Sequence, residues 1–223
     1  MIEVTYVDHM GSDLSVVNAA RVSFGKKSDW LPRVHNGEQL VLTPKDAKLI
    51  SYLAKHEHKS PFNHAFATFH IKAPIFVARQ LQKHEYMPWN EISRRYVDSD
   101  PEFYQPNVWR GRSEDKKQGS DGVVDVSYKS ISALAKHEMW CMKTYKQLLE
   151  DGIAPEQARM VLPQSMMTEW YWSGSVHAFA KMCGLRLKPD AQYETRLVAE
   201  QIEDKMTELF PESWTALRAY DDT

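Results

Sequence analysis

Phe66-Ala67-Thr68-Phe69-His70-Ile71-Lys72-Ala73-Pro74-Ile75-Phe76-Val77-Ala78-Arg79-Gln80-Leu81 sets two kinds of order side by side. Phe66 to Lys72 is rich in aromatic and β-branched residues, which predicts a strand. Pro74 then opens a helix through about Leu81, with Ile75, Ala78 and Leu81 facing inward and Arg79 and Gln80 beside them. Working outward, Ser60-Pro61-Phe62 breaks the chain before the strand. Residues 2 to 7 alternate apolar and polar and read as another strand, with Ile2, Val4 and Tyr6 on one face and a polar turn from His9 to Asp13 after it. Ala19 to Phe24 is ambiguous between helix and loop. Thr43-Pro44-Lys45-Asp46 offers a capping hydroxyl, a proline at N1 and an acid at N3, so a helix should run to about Lys55 behind Ala47, Ile50, Leu53 and Ala54. Ser127 to Glu150 carries Ile131, Leu134, Ala135, Met142, Tyr145, Leu148 and Leu149 at helical spacing and stops at Asp151-Gly152. Shorter helices are expected from Pro155, from Val176 to Cys183 ending at Gly184, from Asp190 to Leu209, and from Pro211 to Tyr220. A few strands and several helices without regular βα alternation make the fold class α+β and disfavour a doubly wound sheet.

The chain has 223 residues, of which 43% are apolar and 26% charged, with a formal charge of -2. That balance fits one globular domain spanning 1–223 and disfavours disorder, a disulfide scaffold or a polybasic nucleic-acid protein. Its two cysteines, Cys141 and Cys183, are far apart, which suggests neither a zinc ribbon nor a redox dithiol and points to the reducing cytoplasm, or the host's cytoplasm if the source is viral. The N-terminus lacks a basic segment followed by a long apolar run, and no run approaches the roughly 20 apolar residues of a membrane-spanning helix. Residues 25 to 42 read as a loop and candidate lid, and 98 to 124 as a long excursion with cations at Arg110, Arg112, Lys116 and Lys117. No G-x-G-x-x-G and no P-loop occurs, so a nucleotide-like ligand would be held by side chains and local backbone.

Three segments concentrate polar groups. His56-Glu57-His58-Lys59-Ser60-Pro61-Phe62-Asn63-His64 holds three imidazoles, but His56 and His58 at i, i+2 diverge on a helix and make a poor metal site, so no metal is expected. Arg79 to Tyr96 holds four cations, two carboxylates, one imidazole and three aromatics, the mixture suited to an anionic phosphate and a flat ring, and also to a self-paired surface loop. In the third, Arg159 and Arg186 sit among apolar neighbours as phosphate ligands or ion-paired structural residues, and Trp170-Tyr171-Trp172 suits either core packing or stacking on a ligand.

Together these segments resemble the flavin-dependent thymidylate synthase family, whose fingerprint is R-H-R-x-x-S-x-N-x-x-S-x-R-Y. This chain has Lys83-His84-Glu85, Pro88, Asn90, Ser93, Arg95 and Tyr96 at that spacing, so it departs at Lys83, Glu85 and Pro88, and Glu85 reverses a charge. His58 to His64 through Phe69-His70, Pro74 to Gln80, Ala158-Arg159, Leu162-Pro163, Thr168-Glu169, Leu185-Arg186 and Ala191 to Glu194 are similar to the family's other segments in order. The resemblance implies a mostly antiparallel sheet with several long helices, and reductive methylation of dUMP to dTMP. FAD, NADPH and 5,10-methylenetetrahydrofolate would take part, in a homotetramer whose active sites are shared between subunits, with no nucleic acid and no membrane as partner. It assigns dUMP contacts to Gln80, Lys83, Glu91, Ser93, Arg95, Arg159 and Arg186, with Arg186 catalytic in stabilising negative charge on the uracil. It assigns FAD contacts to Ser23, Ser60, Lys83, His84, Glu85, Glu91, Ser175, His177 and Lys181, and places His58 and Tyr86 on the folate and NADPH side. Ser93 has no adjacent base and reads as a ligand, not a nucleophile. A homologue of the same fold that binds nucleotide but has lost productive FAD binding is the alternative that Glu85 and Pro88 raise, and a nucleic-acid or protein interaction module using Arg94, Arg95, Arg110, Arg112, Lys116 and Lys117 is a second.

Overall fold

A computed structural model describes residues 1–31, 41–114 and 119–220. The elements in chain order are β1 (Glu3–Met10), α1 (Asp13–Arg21), α2 (Pro44–Lys55), β2 (Phe66–Pro74), α3 (Ile75–Leu81), β3 (Trp89–Glu91), β4 (Arg110–Arg112), β5 (Ser120–Val123), α4 (Tyr128–Glu150), α5 (Pro155–Ala158), β6 (Met167–Ser175), α6 (Val176–Arg186), α7 (Tyr193–Leu209) and α8 (Pro211–Ala219). The main sheet is antiparallel in the order β1-β2-β6-β3, and β4 and β5 form a separate hairpin.

The register sets one face of the sheet into the core. Phe69 lies opposite Trp172 and Ile71 opposite Trp170, and all four are buried. Phe179 of α6 meets the rings of Phe69 and Trp172 edge-on at 5.2 and 5.5 Å, while Trp89 of β3 stacks on Trp170 at 4.3 Å. Gly174 leaves room for this packing, because a Cβ there would stand 2.9 Å from the methyl of Met87. The opposite face is polar, with His70 against Glu169 at 3.0 Å and Thr68 bonded to Ser173 at 2.9 Å. Gln201 of α7 accepts the Val4 amide of β1, and Asp13 of α1 accepts the amides of Glu212 and Ser213, which pins α8 to the N-terminal half.

Several boundaries move from the expected ones. The ambiguous stretch is the end of α1 followed by a 3₁₀ turn at Val22–Phe24. Helix α6 passes through Gly184 to Arg186, and α7 starts at Tyr193 because Gln192 takes the N-cap position. The excursion over 98 to 124 holds the β4–β5 hairpin. Trp170-Tyr171-Trp172 lies in β6, an element the sequence reading had no strand for. In α4, Glu138, Cys141 and Tyr145 turn inward, whereas Ile131 is 45% exposed despite its place in the expected stripe. Residues 32–40 of the expected lid, and the lysines at 116 and 117, lie outside the described residues. No described helix is long and apolar enough to cross a membrane.

Candidate active site

Because Phe66 pairs with Ser175, the start of β2 and the end of β6 bring the 59–63 turn against the first turn of α6. The 83–87 loop after α3 closes the opposite side of a cavity of about 700 Å³. On α6, His177, Lys181 and Leu185 recur every four residues, so they line one wall in a row. Lys83, His84, Glu85, Tyr86 and Arg186 complete the set of expected residues that meet here, with Ser175 at the base. The Ser175 hydroxyl is already used by the fold: it caps α6 by accepting the Ala178 amide at 3.1 Å and donates to Asn63 Oδ1 at 2.7 Å. Tyr86 has φ of 60° and is 90% exposed, an unfavourable backbone for a bulky residue held at the edge of the cavity.

Arg186 Nε donates to His84 Nε2 at 3.0 Å. Burial, with Arg186 and then Lys181 nearby, depresses His84 to about 4, so at neutral pH the ring is uncharged and Nε2 is the accepting nitrogen. Burial also lowers His177, helped by Lys59 and Lys181 and opposed by Glu57. Burial lowers Arg186 from the usual guanidinium range. For both histidines burial is the larger cause, and the neighbouring cations add to it. Between the ordinary value of 6.5 and about 4, the unfolded chain takes up a proton that folded His84 refuses, so His84 costs stability as pH falls through that window. His84→Gln keeps an acceptor without the titration, and its melting temperature should gain on the wild type from pH 7 to pH 4. A constant difference across that range would exclude this account.

A second cavity of about 560 Å³ lies on the other side of Lys83 and Arg186, which line both. Gln80 contributes to it, and its buried Oε1 has no hydrogen-bond partner, an acceptor a ligand N–H would satisfy. The far wall comes from the β4–β5 hairpin and the start of α7: Arg110 donates to Ser120 Oγ, pairs with buried Glu194 at 2.6 Å and lies 4.3 Å over the Tyr193 ring. Gly119, at φ +86°, allows the hairpin this close, since a Cβ would meet the Asp190 carbonyl oxygen at 2.8 Å.

The remaining expected residues lie elsewhere. Glu91 accepts from Thr168 Oγ1 at 2.7 Å and Trp89 Nε1 at 3.2 Å, on β3 at the edge of the sheet. Arg95 is exposed, with Nε 3.4 Å from Ser93 Oγ and its guanidinium over Tyr96. Arg159 is exposed and donates to the Glu156 carbonyl. Ser23, His58 and Ser60 line a third cavity of about 800 Å³ between the end of α1 and α2. Lys59 lines both this cavity and the first. Sequence reasoning gave no site role to Lys59 or to the Arg110–Glu194 pair. The signal for Lys59 was its place between His58 and Ser60, and Arg110 showed only as part of a basic cluster.

A family model described as thymidylate synthase complementing protein matches residues 5–212. A flavin-dependent thymidylate synthase of Thermus thermophilus is 41% identical over 217 residues, covering 97% of this chain and 76% of that protein. That of Thermosipho africanus is 39% identical over 212 residues, covering 94% and 86%. Among solved structures, the UMP/dUMP methylase PolB from Streptomyces cacaoi bound with 5-Br dUMP superposes with a TM-score of 0.84 at 33% identity, covering 99% of this chain and 96% of PolB. The chain belongs to the flavin-dependent thymidylate synthase family.

The family, the α+β fold with its antiparallel sheet, the methyltransferase class and the use of FAD expected from the sequence are therefore borne out. The residues of the first cavity fit the flavin of a flavin-dependent thymidylate synthase. Lys59, Lys83, Lys181 and Arg186 face it against the lone carboxylate of Glu85 among the described residues, so the reversed charge at Glu85 leaves the cavity cationic and suited to a pyrophosphate. Its volume also lies in the range of sites that enclose a cofactor-sized ligand.

Proposed function

We propose that this chain methylates dUMP to dTMP with 5,10-methylenetetrahydrofolate as carbon donor, using FAD reduced by NADPH. The observation that carries the reading is the meeting of two cavities at Lys83 and Arg186, one cationic and the other carrying the unpartnered Gln80 acceptor. Lys83, His84, His177 and Lys181 would hold FAD, with Glu85 at the edge and Ser175 shaping the base. Bound FAD supplies the hydride equivalents for the reaction. In the second cavity, Gln80 Oε1 accepts an N–H of the pyrimidine, and Lys83 and Arg186 attract the nucleotide. Arg186 stabilises negative charge on the ring, its Nε held by neutral His84 so that the terminal nitrogens are free to face the substrate. The walls keep water from the ring and strengthen that interaction.

Ser93, Arg95 and Arg159 bind the phosphate from a neighbouring subunit of a homotetramer, and Ser23 and Ser60 reach a neighbour's FAD. Two features support an assembly: these residues line neither of the first two cavities, and Tyr128, Ile131, Met139 and Trp140 leave α4 with an exposed apolar surface. His58 and Tyr86 face the folate and NADPH. The buried Cys141 and Cys183 suit the cytoplasm, and residues 1–223 act as one catalytic domain. The test is one sample: protein loaded with FAD, desalted, scanned in the visible with and without dUMP, and sedimented. Retained flavin bands that shift with dUMP, in a particle of four chains, are expected. Absence of flavin at excess FAD, or a fully active monomer, would overturn the corresponding part.

A further inference from the structure

Arg110 stands in the wall of the second cavity with its charge already cancelled inside the protein. Its Nη2 donates to Glu194 Oε1 at 2.6 Å, its Nε donates to Ser120 Oγ at 2.8 Å, and its guanidinium lies over the Tyr193 ring. Glu194 is itself held. Its side chain is 6% exposed, and Gln192 Nε2 donates to its other oxygen at 3.4 Å. Burial, and then the Glu194 charge, raise Tyr104 above the usual phenol range, so a neutral hydroxyl stands near the carboxylate. The third nitrogen of the guanidinium, Nη1, meets no acceptor among the described residues. Arg110 is thus fixed through Nε, Nη2 and its ring contact, with one donor nitrogen left over in a residue that lines a cavity. Lys83 and Arg186, which line the same cavity, have no carboxylate partner among the described residues.

We propose that Arg110 is a specificity-determining residue of the nucleotide site: its Nη1 donates to an uncharged oxygen of the bound nucleotide, a ring carbonyl or the sugar 3′-hydroxyl, and Glu194 is the positioning residue that holds it there. The inference rests on the proposed function, which puts dUMP in this cavity. That the oxygen is uncharged, and not one of the phosphate's, follows from the charges. Glu194 cancels the guanidinium at hydrogen-bond distance, and its own charge repels a dianion brought to Nη1, whereas Lys83 and Arg186 attract one. The nucleotide is therefore oriented by contrast, between a neutral donor wall at the hairpin and a cationic wall at Lys83 and Arg186. Because Ser120, Glu194 and Tyr193 already fix the guanidinium, little side-chain freedom is lost when the ligand arrives. The contacts implied by the family resemblance include neither Arg110 nor Glu194.

The experiment is titration calorimetry of the FAD-loaded protein with dUMP, with deoxyuridine, which lacks the phosphate, and with dideoxyuridine monophosphate, which lacks the 3′-hydroxyl. It needs no turnover. In Arg110→Met/Glu194→Gln, which removes both charges together, affinity for dUMP and for deoxyuridine should each fall about tenfold, the loss of one hydrogen bond from a charged donor. Arg110→Lys can still pair with Glu194 but has no further nitrogen to offer, and it should lose about as much, so the result does not hang on one variant folding. Glu194→Gln alone uncovers the guanidinium charge, so the preference for dUMP over deoxyuridine should rise, a change that mere loosening of the wall would not produce. Loss that disappears with dideoxyuridine monophosphate assigns the 3′-hydroxyl as the acceptor, and loss that persists assigns a ring carbonyl. Loss confined to dUMP would make Arg110 a phosphate ligand and overturn the inference, as would unchanged binding of both nucleotide and nucleoside in variants that retain FAD. If the wild type binds dUMP but forms no dTMP, the enzymatic reading fails while these affinities still decide the role of Arg110.

Discussion

Arg186→Ala lowers kcat/KM for dTMP formation by about two to three orders of magnitude, the usual cost of deleting a charge-stabilising donor at the reacting group. The size follows from position. Arg186 is half-buried, lines both the first and the second cavity, and is the donor to His84. In water its attraction to a charged pyrimidine would be small, but between these walls the effective dielectric falls and the same charge counts several times over. Arg186→Lys keeps the charge and loses the planar fork that bonds His84 and a ligand together, so it should fall between wild type and alanine. Flavin absorbance and far-ultraviolet circular dichroism separate this from misfolding: both should survive in Arg186→Ala, because Lys59, Lys83 and Lys181 still line the first cavity. A loss of less than tenfold with flavin retained would remove Arg186 from the chemistry.

Helix α2 was legible because its whole argument is local: Thr43 accepts the Asp46 amide, Pro44 occupies N1, and Ile50 and Leu53 form the buried stripe. Strand β6 was hidden because three aromatics in a row mask its alternation. Only the pairing with β2 and β3 shows that Trp170 and Trp172 point inward while Tyr171 is half exposed on the other face. The α4 stripe failed at Ile131 for a similar reason, since a helical period marks a face without saying what covers it. At the site, Lys83 to Tyr86 could be found together because they are neighbours in sequence. That Lys59 faces Lys181 across the first cavity depends on Phe66 pairing with Ser175, a contact between segments more than a hundred residues apart. The separation of Arg95 and Arg159 from Gln80 and Arg186 has no counterpart in any local pattern, as motif reading ranks residues by chemistry and not by where the fold places them.

Asp46→Ala should cost about 3 kcal/mol of stability, lowering the melting temperature by roughly 10 °C for a chain of this size. Asp46 is 2% exposed, and its carboxylate accepts from Arg21, Ser28 and Thr43 while its own amide is capped by Thr43. Burial alone would raise its pKa, but the hydrogen bonds and charge of Arg21, with Thr43 and Ser28, outweigh it and hold the carboxyl below its ordinary value. Removing the acid leaves the Arg21 guanidinium, 15% exposed, without its counter-charge and frees three donors at once. Asp46→Asn keeps the shape and part of the hydrogen bonding, so it should lose less. The pH dependence supplies the sign: the carboxylate's contribution is complete above the unfolded value near 4 and is lost as pH falls through the lower folded value. The gap between wild type and Asp46→Asn should therefore be constant at neutral pH and close in strong acid, and a gap that widens on acidification would contradict the assignment.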